Sequence, residues 1–340
     1  MKILLISPTF EGIGGIAQHV RDLRKFLKEH GHEVDILSSE NTPIIPLKKL
    51  KNPSFLLSSY IKTKFMKKYD VVHSMHPIGA MAMKNISAKK ILSIHGVYSE
   101  QIGFLHGNSS SKLSEKYEKN ALKIADAVTA GSKESFEYYK KLCSNVYHIP
   151  NAIDIKSLPV TSDSRYDHQI IFAGRLSKEK GILTILEMTK KLPSEIDLVI
   201  IGSGPEEDTV LDYEKQFKNI HYLGYQSKDK TIPLIRGSIL LIQPSFAEGI
   251  SSTLLEAMAC KTPIIATNVG GNKELLGKNN VGILIEPGDS KILLKKIIEL
   301  TNDEELRQKI SFNAFEEVQK YDWSNIGKRY VDLYHEVLHS

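Results

Sequence analysis

The chain has 340 residues, 41% hydrophobic and 25% charged, which points to two domains of an ordinary folded protein. Two cysteines provide neither a disulfide framework nor a zinc set, and no run of 18 apolar residues occurs, so a spanning helix is not expected. The net charge of +5 is uneven: residues 1–150 carry +9 and residues 151–340 carry −4, which argues against a general nucleic-acid binder and for an anionic partner of the first half.

Lys2-Ile-Leu-Leu-Ile-Ser7 reads as a strand, too short for a signal sequence and followed by no cleavage site, so a cytoplasmic chain is expected. Gly12-Ile-Gly14-Gly15-Ile16 then opens a helix over Ile16–His30, which Gly31 closes. These glycines fit a tight strand–helix turn, or a loop whose bare backbone admits a phosphate; they lack the spacing of a dinucleotide fingerprint. Further strands are expected near 33–38, 70–74, 90–94, 126–130 and 145–149, with helices near 54–68, 112–125 and 133–142.

Between Lys48 and Lys68 the chain has seven lysines and no acid, with apolar residues at 57, 60, 61 and 65 at helical spacing. A hydrated surface helix and a peripheral contact with an anionic membrane or a lipid phosphate both fit, the latter placing the chain at the inner membrane surface. The lysines lack interleaved stacking residues, so no nucleic-acid partner is expected. His73 and His76 close one strand at a spacing that would suit a metal, but no cysteine or carboxylate is near and no metal is expected. His95 follows Ile91-Leu-Ser-Ile94, at the carboxyl end of a strand, where open parallel sheets bind ligands; a structural histidine fits the same position.

Pro150-Asn151-Ala-Ile-Asp154 and a polar stretch to His168 read as a hinge. Beyond it, strands are expected near 169–173, 196–201, 219–223, 238–242, 263–267 and 282–285. Helices fall near 181–191, 206–217, 228–236, 252–260 and 289–300, and two more near 303–321 and 323–339. Such alternation predicts an α/β chain of two doubly wound parallel sheets.

Three motifs of this half carry chemistry. Arg175 and Lys180 follow a strand that ends at Gly174, and two cations at a strand–turn–helix junction suit a diphosphate. Ile201-Gly-Ser-Gly204-Pro205 leaves a strand through glycines into a helix. Glu248 lies at a strand end; Ile250, Ser251, Ser252 and Thr253 open a helix whose free N–H groups face an anion, and Glu256 lies a turn further in. Two carboxylates and an anion-ready helix start suit a ligand with hydroxyls and phosphate, such as a nucleotide sugar.

In order and spacing, Ala173–Gly181, Ile201–Pro205, Glu248-x7-Glu256, Gly14-Gly15, Ser93-Ile-His95-Gly96 and Pro150–Asp154 resemble family 4 of the retaining nucleotide-sugar glycosyltransferases. The resemblance covers nearly the whole chain. It implies the GT-B architecture, two Rossmann-like domains facing a cleft. These would be residues 1–154 on the acceptor side, residues 155–320 for the donor, and a last helix, 321–340, packed back on the first domain through Trp323 and Tyr330. The implied donor site comprises Gly14, Gly15, Arg175, Lys180, Gly204, Ile250, Ser251, Ser252, Thr253 and Glu256. The implied catalytic set is Glu248, His95, Arg175 and Lys180. Arg175 and Lys180 would neutralise the leaving diphosphate in place of a metal, Glu256 would hold the ribose, and Glu248 and His95 would contact the sugar, with neither cofactor nor Mg²⁺ required. The loop Leu223-Gly-Tyr-Gln226 would lie near the base, and the acceptor would be a sugar or a lipid-linked molecule. Lys261 departs from the family, which often has glycine there. A nicotinamide-dependent oxidoreductase and a non-catalytic nucleotide-sugar binder are the alternatives. The missing dinucleotide fingerprint speaks against the first, and the complete set Arg175, Lys180 and Glu248 against the second.

Overall fold

A computed structural model describes residues 1–12, 14–47, 50–66, 68–96 and 108–340, with side chains in the last stretch from 115 onward. Lys48, Lys49 and Lys67 of the basic stretch lie outside these residues. The chain divides into two compact units, Met1–Ala152 with Trp323–Ser340, and Ile153–Asp322.

The first unit is built on β1 (Lys2–Ser7), β2 (Glu33–Ser38), β3 (Val71–Ser74), β4 (Lys89–Ile94), β5 (Ala127–Ala130) and β6 (Val146–His148). All pairs are parallel, in the order β2-β1-β3-β4-β5-β6. Ile3 to Ile6 of β1 are fully buried, as expected of a central strand covered on both faces. Helices α1 (Gly15–Glu29), α2 (Lys51–Thr63), α3 (Asn108–Leu122) and α4 (Lys133–Lys140) and a 3₁₀ segment at Pro77–Asn85 connect the strands.

The second unit repeats the scheme with β7 (Gln169–Ala173), β8 (Asp197–Ile201), β9 (Ile220–Tyr222), β10 (Leu240–Gln243), β11 (Ile264–Thr267) and β12 (Ile283–Ile285), all parallel, in the order β12-β11-β10-β7-β8-β9. Its helices are α5 (Ile182–Thr189), α6 (Glu207–Gln216), α7 (Lys228–Arg236), α8 (Ser252–Ala259), α9 (Gly270–Leu276), α10 (Ser290–Asn302) and α11 (Glu304–Val318). Helix α9 has no counterpart in the sequence reading, because its opening Gly270-Gly271 mimics a loop. Gly271 is required there by packing, since a Cβ would lie 2.2 Å from the Gly249 carbonyl oxygen. The order of strands reverses between β1 and β3 in one sheet and between β7 and β10 in the other. Loops at the carboxyl ends of such neighbours diverge to opposite faces and leave room for a ligand.

The segments that enter and leave the second unit pair with each other. The Ile153 amide donates to the Tyr321 carbonyl at 2.9 Å and that of Ile155 to the Asp322 carboxylate at 3.2 Å. The last helix, α12 (Trp323–His339), belongs to the first unit. Its apolar face, Trp323, Ile326, Gly327, Tyr330, Leu333, Tyr334 and Val337, follows the helical repeat and shares a core with Leu23, Phe26 and Leu27 of α1. Gly327 permits the close approach: a Cβ there would lie 2.5 Å from the Phe26 ring.

This core contains histidines. His19 Nε2 lies 3.1 Å from the Tyr330 hydroxyl; His73 Nδ1 is 2.8 Å from the Tyr334 hydroxyl and its Nε2 2.7 Å from Ser93 Oγ. With both nitrogens occupied, His73 is a structural residue. Burial, with a smaller contribution from the neighbouring His95, pushes His73 down to about 3 and His76 to about 4, and holds His19 well below the ordinary histidine value.

These groups make the first unit acid-sensitive. Below pH 6.5 the unfolded chain takes up protons that the folded unit refuses. The stability contributed by each neutral histidine is therefore complete above that pH and falls towards pH 3–4, by up to about 1.4 kcal/mol per pH unit. The single tryptophan, Trp323, is buried in this unit and reports its unfolding. Its fluorescence should show a midpoint temperature that declines steadily from pH 7 to pH 5, with a shallower decline in His73→Gln. A midpoint independent of pH in this window would contradict the neutral histidine core.

Candidate active site

The β7 strand ends at Ala173, and Gly174, Arg175 and Leu176 lead through Ser177 into a single 3₁₀ turn, Lys178–Lys180. Gly181 closes the turn in the left-handed conformation, φ +73°, where a Cβ would lie 1.9 Å from the Pro244 carbonyl oxygen. The loop after β7 therefore lies directly on the loop after β10, and the Phe246 amide donates to the Glu179 carbonyl at 2.8 Å. The two strands flank the reversal of order in this sheet, which is where a ligand is expected.

Glu248 is the centre of the arrangement. Its Oε1 accepts from Lys180 Nζ at 2.7 Å, Gln243 Nε2 at 2.6 Å and Ser245 Oγ at 2.8 Å. The carboxylate is 6% exposed and Lys180 28%. Three donors, one of them charged, replace the water that such a group gives up on burial. The Glu248 carbonyl accepts the Gly271 amide at 3.1 Å, which ties the start of α9 to the same loop. Gln243 Nε2 reaches on to Ser251 Oγ at 3.0 Å, and Ser251 caps α8 by accepting from the Leu254 amide.

The structure thus joins Lys180, Glu248 and Ser251 in one network, and it gives Lys180 a partner that the sequence reading did not: its ammonium is held by Glu248. Arg175 is exposed and has no hydrogen-bond or ionic partner among the described residues. The amides of Ser252 and Thr253, in the first turn of α8, likewise have no protein acceptor among the described residues; Ile250 is buried ahead of them. Glu256, on the second turn, faces Lys228 Nζ at 3.3 Å. Gly204 is explained by packing: a Cβ would lie 2.3 Å from the Leu176 carbonyl oxygen, so the loop after β8 rests on the loop after β7. Lys261, directly after α8, has φ +59°, the left-handed conformation that favours glycine, and its ammonium stacks over the Phe315 ring at 4.5 Å.

Gly14, Gly15 and His95 belong to the first unit. Gly14 is required for its backbone, φ +124°, with open space where a side chain would be; its carbonyl accepts the Gln18 amide at the start of α1. His95 Nδ1 lies 3.0 Å from Asn151 Oδ1, and its ring stands 5.1 Å from that of His19. Gln243, Ser245, Lys228 and Asn151 were given no role by sequence. Gln243 left a signal, a polar residue closing the apolar run Ile239-Leu-Leu-Ile242. Ser245 and Lys228 left none, since their role depends on which loops meet.

Residues 162–317 match the family described as Glycosyl transferases group 1, and residues 13–157 match Glycosyltransferase Family 4. The chain is a glycosyltransferase of this type. It is 27% identical to an uncharacterized glycosyltransferase of Methanocaldococcus jannaschii over 99% of both chains. It is 23% identical to the phosphatidyl-myo-inositol mannosyltransferase of Mycolicibacterium smegmatis over 99% of this chain and 94% of that one. Among solved structures, HepE of Anabaena in complex with UDP-glucose superposes with a TM-score of 0.76 at 19% identity, over 99% of the transferase and 100% of HepE. The two parallel six-stranded sheets of the transferase are those of the GT-B fold. Among the described residues no cluster of three His, Cys, Asp or Glu could hold a metal, and no helix is long and apolar enough to cross a membrane.

The network makes a distinction between the two cations testable. Lys180→Ala removes the charged partner of a nearly buried carboxylate and should cost about 2–3 kcal/mol of stability, less than for a fully buried pair because Lys180 is partly exposed. Arg175→Ala should change stability by no more than about 0.5 kcal/mol. Thermal or urea unfolding measures both, and equal stability of the two variants would show that the Lys180–Glu248 pair contributes nothing.

Proposed function

We propose that the transferase takes a sugar from a nucleoside-diphosphate sugar and passes it to a sugar or lipid-linked acceptor, with retention at the anomeric carbon and without a metal. The observation that carries this reading is the set of donors in the second unit with no partner among the described residues: the Arg175 guanidinium and the Ser252 and Thr253 amides, on loops that flank the reversal of strand order. A leaving diphosphate develops negative charge on its bridging and terminal oxygens. A planar guanidinium and helix-start amides already oriented stabilise that charge without reorganisation. Lys180, held by Glu248, adds a fixed positive charge, and Glu256, poised by Lys228, supplies an acceptor for ribose hydroxyls. HepE, with UDP-glucose bound, supports this donor class, and the family resemblance supports retention.

Calorimetric titration in excess chelator tests the donor site. Arg175→Ala should weaken the cognate nucleoside diphosphate about 10- to 100-fold, the value of one or two charge-assisted hydrogen bonds, and leave the bare nucleoside unaffected. Unchanged diphosphate affinity would remove Arg175 from the site, and binding that is abolished by chelator and restored by Mg²⁺ would overturn metal independence.

A membrane-bound acceptor is favoured by α2. The helix buries Phe55, Ser59 and Thr63 and turns its other face outward: Leu57 is 59% exposed, Ile61 49% and, in the turn that follows, Phe65 84%. Lys51, Lys64 and Lys68 are exposed around them. An apolar ridge within a cationic rim suits the interface of an anionic bilayer, each lysine near the surface contributing about 1 kcal/mol. The lipid in the name of the mycobacterial relative agrees with this reading. The chain should sediment with anionic but not neutral vesicles, less so as salt rises, and Phe65→Ser with Lys64→Glu and Lys68→Glu should abolish it. Absence of sedimentation at low salt would refute the contact.

A further inference from the structure

His95 closes β4 with its two ring nitrogens in different situations. Nδ1 lies 3.0 Å from Asn151 Oδ1. An amide oxygen only accepts, so the proton of this bond belongs to Nδ1, and a neutral imidazole protonated there has a bare lone pair at Nε2. That Nε2 is buried and has no hydrogen-bond partner among the described residues. The residue is held at its ring and at its backbone. His19 stands edge-on at 5.1 Å, itself held by Tyr330 of α12, and Gly131 lies close behind the His95 backbone, where a Cβ would be 3.4 Å from the His95 Cα. Burial lowers the basicity of His95, and the Asn151 contact opposes this in part. The neighbouring His19, His73 and His76 are neutral by the same cause.

We propose that Asn151 is a positioning residue that holds His95 as the Nδ1–H tautomer, so that Nε2 is a preformed acceptor for a hydroxyl of the substrate. An unprotonated nitrogen in a buried setting has nothing to offer a phosphate or a carboxylate, which bring only acceptors; it selects an O–H donor. The opposite tautomer would present an N–H and select a carbonyl or an anion. The residue that makes this choice is two positions before Ile153, where the chain passes into the second unit. The proposal rests on the transferase reading above, with the sugar contact that the family resemblance implies for His95, but the tautomer can be read without any transfer reaction.

Protein labelled with ¹⁵N-histidine, examined by long-range ¹H–¹⁵N correlation at neutral pH and assigned by difference with His95→Gln, reports both nitrogens. The expected spectrum has a protonated, pyrrole-type Nδ1 and an unprotonated, pyridine-type Nε2 at His95. Asn151→Ala should convert this to a mixture of tautomers and lower kcat on the order of 10-fold, with no further loss in the His95→Ala background. Asn151→Asp, which keeps an acceptor at the same position, should retain the tautomer and move the acid limb of the kcat–pH profile upward. A proton on Nε2 in the unsubstituted protein, or an unchanged tautomer in Asn151→Ala, would overturn the proposal. The expected tautomers together with full activity in His95→Ala would uphold the positioning by Asn151 and overturn Nε2 as an acceptor for the substrate.

Discussion

The second unit is organised around one carboxylate. Glu248 is nearly buried, and an ionised group in that position is tolerated only if its oxygen lone pairs are occupied. The donors come from two stretches of chain: Lys180 from the loop after β7, and Gln243 and Ser245 from the end of β10 and the loop that follows it. Through its carbonyl the same residue holds the start of α9, and through Gln243 and Ser251 it is linked to the cap of α8. This convergence adds a side-chain tie to the backbone contacts between these loops, beside the donors Arg175, Ser252 and Thr253 that have no partner among the described residues. The low exposure that makes the carboxylate costly also makes its hydrogen bonds strong.

The glycines serve this same constraint. Gly181 against Pro244, Gly202 against Gly174, Gly204 against Leu176 and Gly271 against Gly249 are four places where one backbone lies on another with no room for a Cβ. The glycine-rich look of the motifs therefore reflects loops stacked on loops more than glycines turned to a ligand. Gly14 and Gly224 are exceptions, since each has a positive φ with open space around it.

The first unit is held by a different device. Two tyrosines of α12 bond two histidines, His19 of α1 and His73 of β3, so that a segment from the end of the chain completes a core begun at residue 1. The histidines are stable there only as neutral rings, and each is anchored by the hydroxyl it meets. His95, at the edge of this cluster, keeps one nitrogen for Asn151 and one without a partner among the described residues, which distinguishes it from the fully bonded His73.

The strand–helix alternation was legible because period and punctuation are local: the observed β1 and β2 coincide with the apolar runs read from the sequence, and most other elements agree within a few residues. The exceptions have physical reasons. α2 starts earlier and buries only Phe55, Ser59 and Thr63, so its apolar stripe, read as a helical face, is turned outward. α9 was hidden by glycines that packing demands. By itself the sequence determined the alternating architecture, the residue types able to bind phosphate and sugar, and the uneven charge. Only the tertiary structure decided which of those residues are already paired. Lys180 and Arg175, five positions apart and alike in charge, differ because one meets Glu248, 68 residues away in the chain, and the other meets none of the described residues. Pairing depends on which loops converge, and convergence is set by strand order, which no local pattern encodes.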